Sequence, residues 1–227
     1  MTEKDSTIAN ESPRRKAREL TPNQQKRRQD ILSAARALVA EHGYDGTIMR
    51  DVAVRAKVSP TTLYNLYNTK DELLLAALRQ EVIESNQRAA SETDRPGHEY
   101  LLRSLYHVAR QTRKQPAYVE AISRALLRAN AGDPLVNVLL IRLRDDARNS
   151  LAAMAERSEL APGTNIDAIA VTLAGAFWSS FLLWGKGLIK LQELEATLQR
   201  NYLSILIPVS RGQTKTDLEK HYRSLDA

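Results

Sequence analysis

Signals that start a helix recur along this 227-residue chain and constrain its fold more than any other feature. A hydroxyl residue followed by proline marks a start at Thr21-Pro22 and again at Ser59-Pro60. The hydroxyl accepts a hydrogen bond from a free backbone N–H, and proline has no N–H to lose. Apolar residues then follow at helical spacing, and no alternating pattern of useful length indicates a strand. The sequence predicts an all-α protein of about nine helices.

Composition excludes several classes of protein. The chain has no Cys, so it contains neither a disulfide scaffold nor a Cys-bound zinc or iron–sulfur site. Its nine Gly are too few to favour a fold built on a phosphate-cradling loop. Residues 1–30 contain no apolar run typical of a signal peptide, and we expect a cytoplasmic protein.

Positive charge is concentrated near the N-terminus. Residues 14–28 hold seven Lys and Arg side chains against the single acid Glu19, so their balance of 7 − 1 = +6 equals that of the whole chain. Such a segment is typical of a solvated tail, but it also suits an anionic polymer or a membrane surface. We predict that residues 1–20 are a disordered basic arm, followed by a first helix that carries Arg27 and Arg28.

Two short helices within residues 47–66 are expected to cross over a tight turn near Lys57. This is the arrangement of a helix-turn-helix, whose second helix enters the major groove of DNA with its N-terminal residues at the base edges. A helix of seven residues is about 10 Å long and the groove about 12 Å wide, so the second helix fits end-on. Leu63 and Leu66 would anchor it in the core. The side chains presented to DNA would be Ser59, Pro60, Thr61, Thr62, Tyr64 and Asn65. On spacing alone, a plain helical corner is an equally good interpretation.

A family resemblance adds to this interpretation. In order and spacing, the matching residues are Ile31-Leu32-Ser33-Ala34-Ala35, Gly43-Tyr44-Asp45-Gly46-Thr47, Met49-Arg50-Asp51-Val52-Ala53, Thr62-Leu63-Tyr64, Tyr67, Thr69, Lys70, Glu72 and Leu73. With them, residues from about Gln24 to Leu78 resemble the N-terminal DNA-binding domain of the tetracycline-repressor (TetR) family of transcriptional regulators. Lys57 departs from the family, which commonly has glycine at this turn, and Asn65-Leu66 replaces a more usual aromatic or basic pair.

The resemblance implies specific contacts with DNA. Thr47 and Tyr64 stand where the family usually contacts phosphates, and Lys70 where the start of the fourth helix meets the DNA backbone. Arg50 and residues 59–62 stand where bases or nearby phosphates are met. The basic segment 14–28 would add affinity that depends on salt, with Arg27 and Arg28 as predicted DNA contacts.

The resemblance also divides the chain. It implies a DNA-binding domain in residues 21–70 and a domain for ligand binding and dimerisation in residues 71–208. Residues 209–227 read as a polar C-terminal tail. Dimerisation would match a palindromic operator on double-stranded DNA.

The most apolar segment is residues 168–185, which carry no charge. Such a run reaches the lower limit of about 18 residues for a transmembrane span, so a membrane-tethered protein is an alternative. Thr172, Gly175 and two serines within the run favour a buried helix instead. With the next helix it would form a four-helix interface between two subunits, although packing within one chain also fits the pattern. The predicted dimer contacts are Ala174, Gly175, Ser179, Leu191, Leu194, Leu198, Tyr202 and Ile205.

The middle helices are expected to enclose a pocket for a small molecule, as the resemblance implies and as helical bundles often do. The candidate lining residues are Leu102, Tyr106, Tyr118, Ile122, Leu126, Phe177, Trp178 and Phe181. Their aromatic and aliphatic character predicts a hydrophobic effector, such as a lipid, an acyl thioester or an aromatic compound. Effector binding would then move the fourth helix and release the operator.

No set of catalytic residues is found in the sequence. His98-Glu99 begins like a zinc-protease motif, but Leu102 occupies the position of the second His. A Walker lysine, a dinucleotide glycine pattern and a nucleophile elbow are all absent. We therefore predict a DNA-binding repressor without a cofactor, a metal or an enzymatic activity. A membrane-tethered protein and a helical-bundle enzyme are the alternatives.

Overall fold

The computed structural model describes residues 21–94 and 96–225, and this part of the chain is helical without a strand. The N-terminal helices are α1 (Pro22–Gly46), α2 (Met49–Arg55), α3 (Pro60–Leu66) and α4 (Lys70–Ser91). Then come α5 (His98–Lys114), α6 (Pro116–Arg128), α7 (Pro134–Val136), a π-helical turn (Asn137–Ile141), α8 (Arg142–Glu156), α9 (Ile166–Gly185), α10 (Leu194–Leu206) and α11 (Gly212–Ser224). The all-α prediction is confirmed, while the predicted arm of residues 1–20 lies outside the described residues.

The segment after Pro208 corrects the prediction of a polar tail in residues 209–227. Helix α11 forms there, and its Leu218 is only 1% exposed, within the core. The backbone N–H of Arg211 donates to the carbonyl oxygen of Glu159 at 2.9 Å, which fixes the entry to the helix. The sequence pattern missed α11 because Leu218 is its single fully buried apolar residue in an otherwise polar stretch. With α7, the π-helical turn and α8 counted as one rod, the described residues contain ten helices rather than nine.

The N-terminal helices begin at the capping residues that the sequence predicts. The Thr21 hydroxyl accepts from the backbone N–H of Gln24, whose side chain in turn accepts from the N–H of Thr21. The Ser59 hydroxyl accepts from the N–H of Thr62 at 3.0 Å. Each hydroxyl satisfies a donor that a helix end leaves without a partner, so local sequence sets where α1 and α3 begin.

Two hydrophobic clusters make up the core. The first contains residues of the four N-terminal helices and of α6, among them the fully buried Leu63 of α3. The second joins α5, α8, α9, α10 and α11, and Trp178 packs against both. Leu66 is 49% exposed, so its predicted role as an anchor is wrong. It is the last residue of α3, and the next residue, Tyr67, takes the core position instead.

Lys57 forms the turn between α2 and α3 with a φ of 54°, a left-handed conformation that a Cβ disfavours. We expect Lys57→Gly to raise the free energy of unfolding by about 0.5–1 kcal/mol, because glycine has no Cβ. Urea denaturation of the variant measures this difference. Lys57→Ala is the matched control, since alanine keeps the Cβ, and equal stability of the Gly and Ala variants would contradict the expectation.

Candidate DNA interface, ligand cavity and subunit face

Helix α3 presents an exposed polar surface, and its buried side packs into the core. Thr61, Tyr64 and Asn65 are exposed, Tyr64 by 51% of its surface, whereas Leu63 on the opposite side is fully buried. Ser59 and Pro60 are also exposed and Thr62 is half-buried, with the Ser59 and Thr62 hydroxyls 2.8 Å apart. The six predicted residues, Ser59 as the N-cap and five along α3, are thus exposed or half-buried.

One of the predicted arginines, Arg28, lies beside Tyr67 after α3. Arg27 and Arg28 of α1 and Arg50 of α2 are all exposed. Burial raises the pKa of the Tyr67 phenol, and the Arg28 guanidinium beside that phenol acts in the opposite direction. Arg28 therefore lies next to the end of α3, where its charge adds to the surface that α3 presents.

Two predicted phosphate contacts are engaged within the protein. Thr47 is 1% exposed, and its hydroxyl donates to the Gly43 carbonyl oxygen at 2.8 Å, so the prediction for Thr47 is wrong. Lys70 is half-buried, and its Nζ donates to the carbonyl oxygens of Asp45 at 3.0 Å and Tyr44 at 3.4 Å. The end of α1 leaves carbonyl groups without helical partners, and these two side chains satisfy them.

A cavity of about 160 Å³ lies among α4, α5, α6, α8, α9 and α10. Its wall includes five of the predicted residues, namely Tyr118, Ile122, Phe177, Trp178 and Phe181. The rings of Phe177 and Phe181 are 4.9 Å apart, and those of Phe177 and Trp178 are 5.3 Å apart. These aromatic rings give one side of the cavity an apolar and rigid surface.

Leu102, Tyr106 and Leu126 do not line the cavity, so these three predictions are wrong. Helix α5 turns Leu101, Leu105 and Val108 to the cavity, and Leu102 and Tyr106 point about 100° further round the helix. Leu126 packs into the first core cluster. Sequence reasoning also missed lining residues from α4 and the π-helical turn, among them Leu78, Val82, Val138 and Leu139. Nothing in the apolar pattern distinguishes these from ordinary core residues.

The two carboxylates on the cavity wall, those of Glu81 and Asp146, are paired. The Glu81 carboxylate accepts from Gln111 Nε2 at 3.1 Å and lies 3.1 Å from Nε of Arg36, a residue of α1. The Asp146 carboxylate accepts from Asn86 Nδ2 at 2.8 Å. Burial raises the pKa of both carboxyl groups. One polar end of the cavity is therefore bonded directly to the first helix of the N-terminal domain.

Helix α9 has one buried side and one exposed side. It is the one helix of the described residues that is long and apolar enough to cross a membrane. Leu173, Phe177 and Phe181 nevertheless pack into the core, while Val171 and Leu182 are 59% and 41% exposed. The buried side thus accounts for the aromatic residues of the run. What remains exposed is a stripe of small and aliphatic side chains.

Gly175 and Ser179, two of the predicted dimer contacts, lie on this exposed stripe, and no heavy atom lies within 4 Å of where a Cβ of Gly175 would stand. Leu191 and Ile205 are half-buried. Ala174, Leu194, Leu198 and Tyr202 are buried within the single chain, so their prediction as contacts between subunits is wrong. Helix α10 uses that face to pack on α9 and α5.

No group of three or more His, Asp or Glu side chains that could bind a metal occurs among the residues described by the structure. The zinc-protease interpretation of His98 thus gains no partner there. Burial lowers the pKa of His98, as expected for an imidazole held neutral by its surroundings.

Known proteins match this chain in both sequence and fold. Residues 31–77 match the family model described as bacterial regulatory proteins, tetR family. This N-terminal segment of the chain therefore belongs to the tetR family. The HTH-type transcriptional repressor KstR of Rhodococcus jostii is 36% identical over 114 residues, which cover 50% of this chain and 54% of KstR. The chain thus spans about half the length of the curated relatives it matches.

Solved structures extend the similarity in fold to most of the chain. The full-length tetR regulator TylP from Streptomyces fradiae has a TM-score of 0.68 at 21% identity, covering 88% of this chain and 90% of TylP. FadR of Thermus thermophilus, a TetR-family transcriptional repressor in complex with lauroyl-CoA, has a TM-score of 0.60 at 23% identity. That alignment covers 82% of this chain and 97% of FadR. At these identities the fold is what is shared.

Proposed function

We propose that this protein is a ligand-responsive transcriptional repressor that binds a palindromic operator as a dimer. The observation that carries the proposal is the exposed end of α3, where Thr61, Tyr64 and Asn65 project from a helix anchored by Leu63. Hydroxyl and amide groups in this position can read base edges or hold phosphates. The similarity to KstR, which is named a repressor, supports repression rather than activation.

The proposed dimer uses the exposed stripe of α9. Val171, Gly175, Ser179 and Leu182 repeat at helical spacing along one face, and small residues let a second helix approach closely. A two-fold axis through this face would present two copies of α3 to DNA. A palindromic operator requires two copies, because its half-sites lie one helical turn, about 34–36 Å, apart. The proposed face also includes the half-buried Ile205 of α10.

The proposed effector would enter the cavity between α4 and the helices after it. The cavity of about 160 Å³ is smaller than the roughly 300–1,000 Å³ of pockets for drug-sized ligands, so a larger effector would have to move α4 or α8. Helix α4 follows α3 after a three-residue link, and its Lys70 holds the end of α1. The same movement would therefore displace α3. FadR, whose structure contains lauroyl-CoA, supports a hydrophobic effector.

Effector binding would also be coupled to DNA binding through the ion pair between Arg36 and Glu81. Arg36 belongs to α1, whereas Glu81 lines the cavity. An effector that displaces Glu81 would change a contact of the N-terminal domain directly, and such couplings are typically worth about 1–3 kcal/mol. The proposal includes no enzymatic step, and it places the protein in the cytoplasm with the chromosome.

Selection from a library of random duplexes tests the proposal. The full-length protein is expected to enrich an inverted repeat and to bind it at least about 1,000-fold more tightly than random competitor. Affinity should fall steeply as salt rises, because phosphate contacts release counterions. Failure to enrich any sequence, or enrichment of a single half-site without symmetry, would contradict the proposal.

A further inference from the structure

Four residues that line the cavity each carry a buried polar side-chain atom with no hydrogen-bond partner among the described residues. They are the hydroxyls of Ser85, Tyr118 and Tyr202 and the indole Nε1 of Trp178. A buried polar group left unpaired costs about 1–3 kcal/mol, and such groups are uncommon in folded proteins. They come from α4, α6, α9 and α10, so the arrangement depends on the whole fold and not on one irregular segment. Four on one cavity indicate that a bound molecule supplies their partners.

The chemistry of these atoms defines what that molecule must offer. An indole N–H only donates a hydrogen bond. Burial raises the pKa of Tyr118 and Tyr202, so both phenols stay protonated and can donate. Ser85 can donate or accept. The indole thus requires an acceptor atom on the ligand and the two phenols can donate to others, while apolar residues form most of the surrounding wall.

The buried charges on the wall argue against an anionic ligand, because the cationic lining residue, Arg142, is exposed and interacts with Asp146. The two carboxylates that line the cavity, Glu81 and Asp146, already accept hydrogen bonds from Gln111 and Asn86. The guanidinium of Arg36 is directed to Glu81. A carboxylate inside would therefore lose its water and lie near two like charges, which is costly in a buried site.

We propose that the cavity selects an uncharged apolar molecule whose carbonyl or ether oxygens accept hydrogen bonds from Trp178, Tyr118 and Tyr202. This inference rests on the proposed effector cavity and names the class of its ligand. Of the effectors suggested by the aromatic composition, it favours neutral oxygenated compounds. It excludes molecules that would place an anionic group inside the cavity.

Three single-ring probes of similar size test the ligand class: acetophenone, ethylbenzene and benzoate. One ring suits the volume, since a cavity of about 150 Å³ holds benzene in another protein. Full-length protein labelled with ¹⁵N is titrated at pH 7.5 without DNA. Acetophenone is expected to bind about tenfold more tightly than ethylbenzene, as one gained hydrogen bond implies. It should also shift the Trp178 indole proton downfield. Ethylbenzene should leave that proton near its free position, and benzoate should not bind.

Trp184 is the internal reference, because the chain has two tryptophans and Trp184→Phe assigns both indole signals. Tyr202→Phe and Tyr118→Phe keep the rings and remove one donor each. Each is expected to weaken acetophenone about fivefold or more and to change ethylbenzene less than about twofold. Tyr106→Phe, at a tyrosine outside the cavity wall, should change neither. Thermal melting confirms that each variant is folded.

Several results would overturn the inference. These are equal affinity for acetophenone and ethylbenzene, displacement of acetophenone by benzoate, equally weakened binding of both neutral probes in the variants, or no binding of any probe. Because no DNA is present, each of these outcomes is separate from the operator selection. A negative probe titration would leave the proposal of operator binding standing. Failure of the operator selection would leave the probe data interpretable.

Discussion

A Ser179→Arg protein is expected to be monomeric and to bind its operator at least about 100-fold more weakly, because linked sites typically gain a factor of 10² to 10⁴ over one site. Ser179 lies on the exposed stripe of α9 between Gly175 and Leu182. A two-fold axis there would bring two guanidinium groups together in a face of small and aliphatic side chains. Burying an unpaired charge costs several kcal/mol, which exceeds what the rest of the face can offset.

Sedimentation velocity measures the subunit state, and titration with the selected duplex measures affinity. Ser91→Arg is the matched control, since it makes the same change at an exposed residue at the end of α4. The control should sediment and bind as the unchanged protein does. A Ser179→Arg protein that sediments as a dimer would place the subunit face elsewhere.

The parts of this fold that sequence could predict depend on local chemistry. Thr21 and Ser59 cap their helices because a hydroxyl three residues before a free N–H can bond to it whatever the tertiary structure. The buried Leu63 and the exposed Thr61 follow from the same short helical period. For this reason the six residues predicted to be presented by α3 are exposed or half-buried.

The wrong predictions share a different cause, because they depend on which other groups of the folded chain compete for a side chain. Thr47 is a residue type that can contact a phosphate, but its hydroxyl donates to the carbonyl oxygen of Gly43 instead. Leu194 and Tyr202 form an apolar stripe that suits a subunit interface, yet the same chain buries them. Nothing in the pattern of one helix specifies which neighbour covers it. The same holds for the cavity, where Val82 and Val138 read as plain core residues.

Removal of the Tyr64 side chain is expected to weaken operator binding about 10- to 100-fold, the effect of a lost hydrogen bond to a charged group. Its hydroxyl stands at the outer surface of α3, and 51% exposure means that Tyr64→Ala should change the melting temperature little. Tyr64→Phe should lose nearly as much affinity if the hydroxyl donates to a phosphate. Leu127→Ala, which shortens a 63% exposed side chain on α6, is the control and should bind normally.

The salt dependence of Tyr64→Ala separates its contact from that of an arginine. A neutral hydroxyl displaces no counterion, so the slope of log affinity against log salt should be unchanged in this variant. Arg28→Ala removes a charge beside α3 and should reduce the magnitude of that slope by about one. A reduced slope in Tyr64→Ala would mean that the substitution shifts α3 and its neighbouring arginines away from DNA. Unchanged affinity would mean that DNA does not meet this end of α3, and the proposed operator interface would then be wrong.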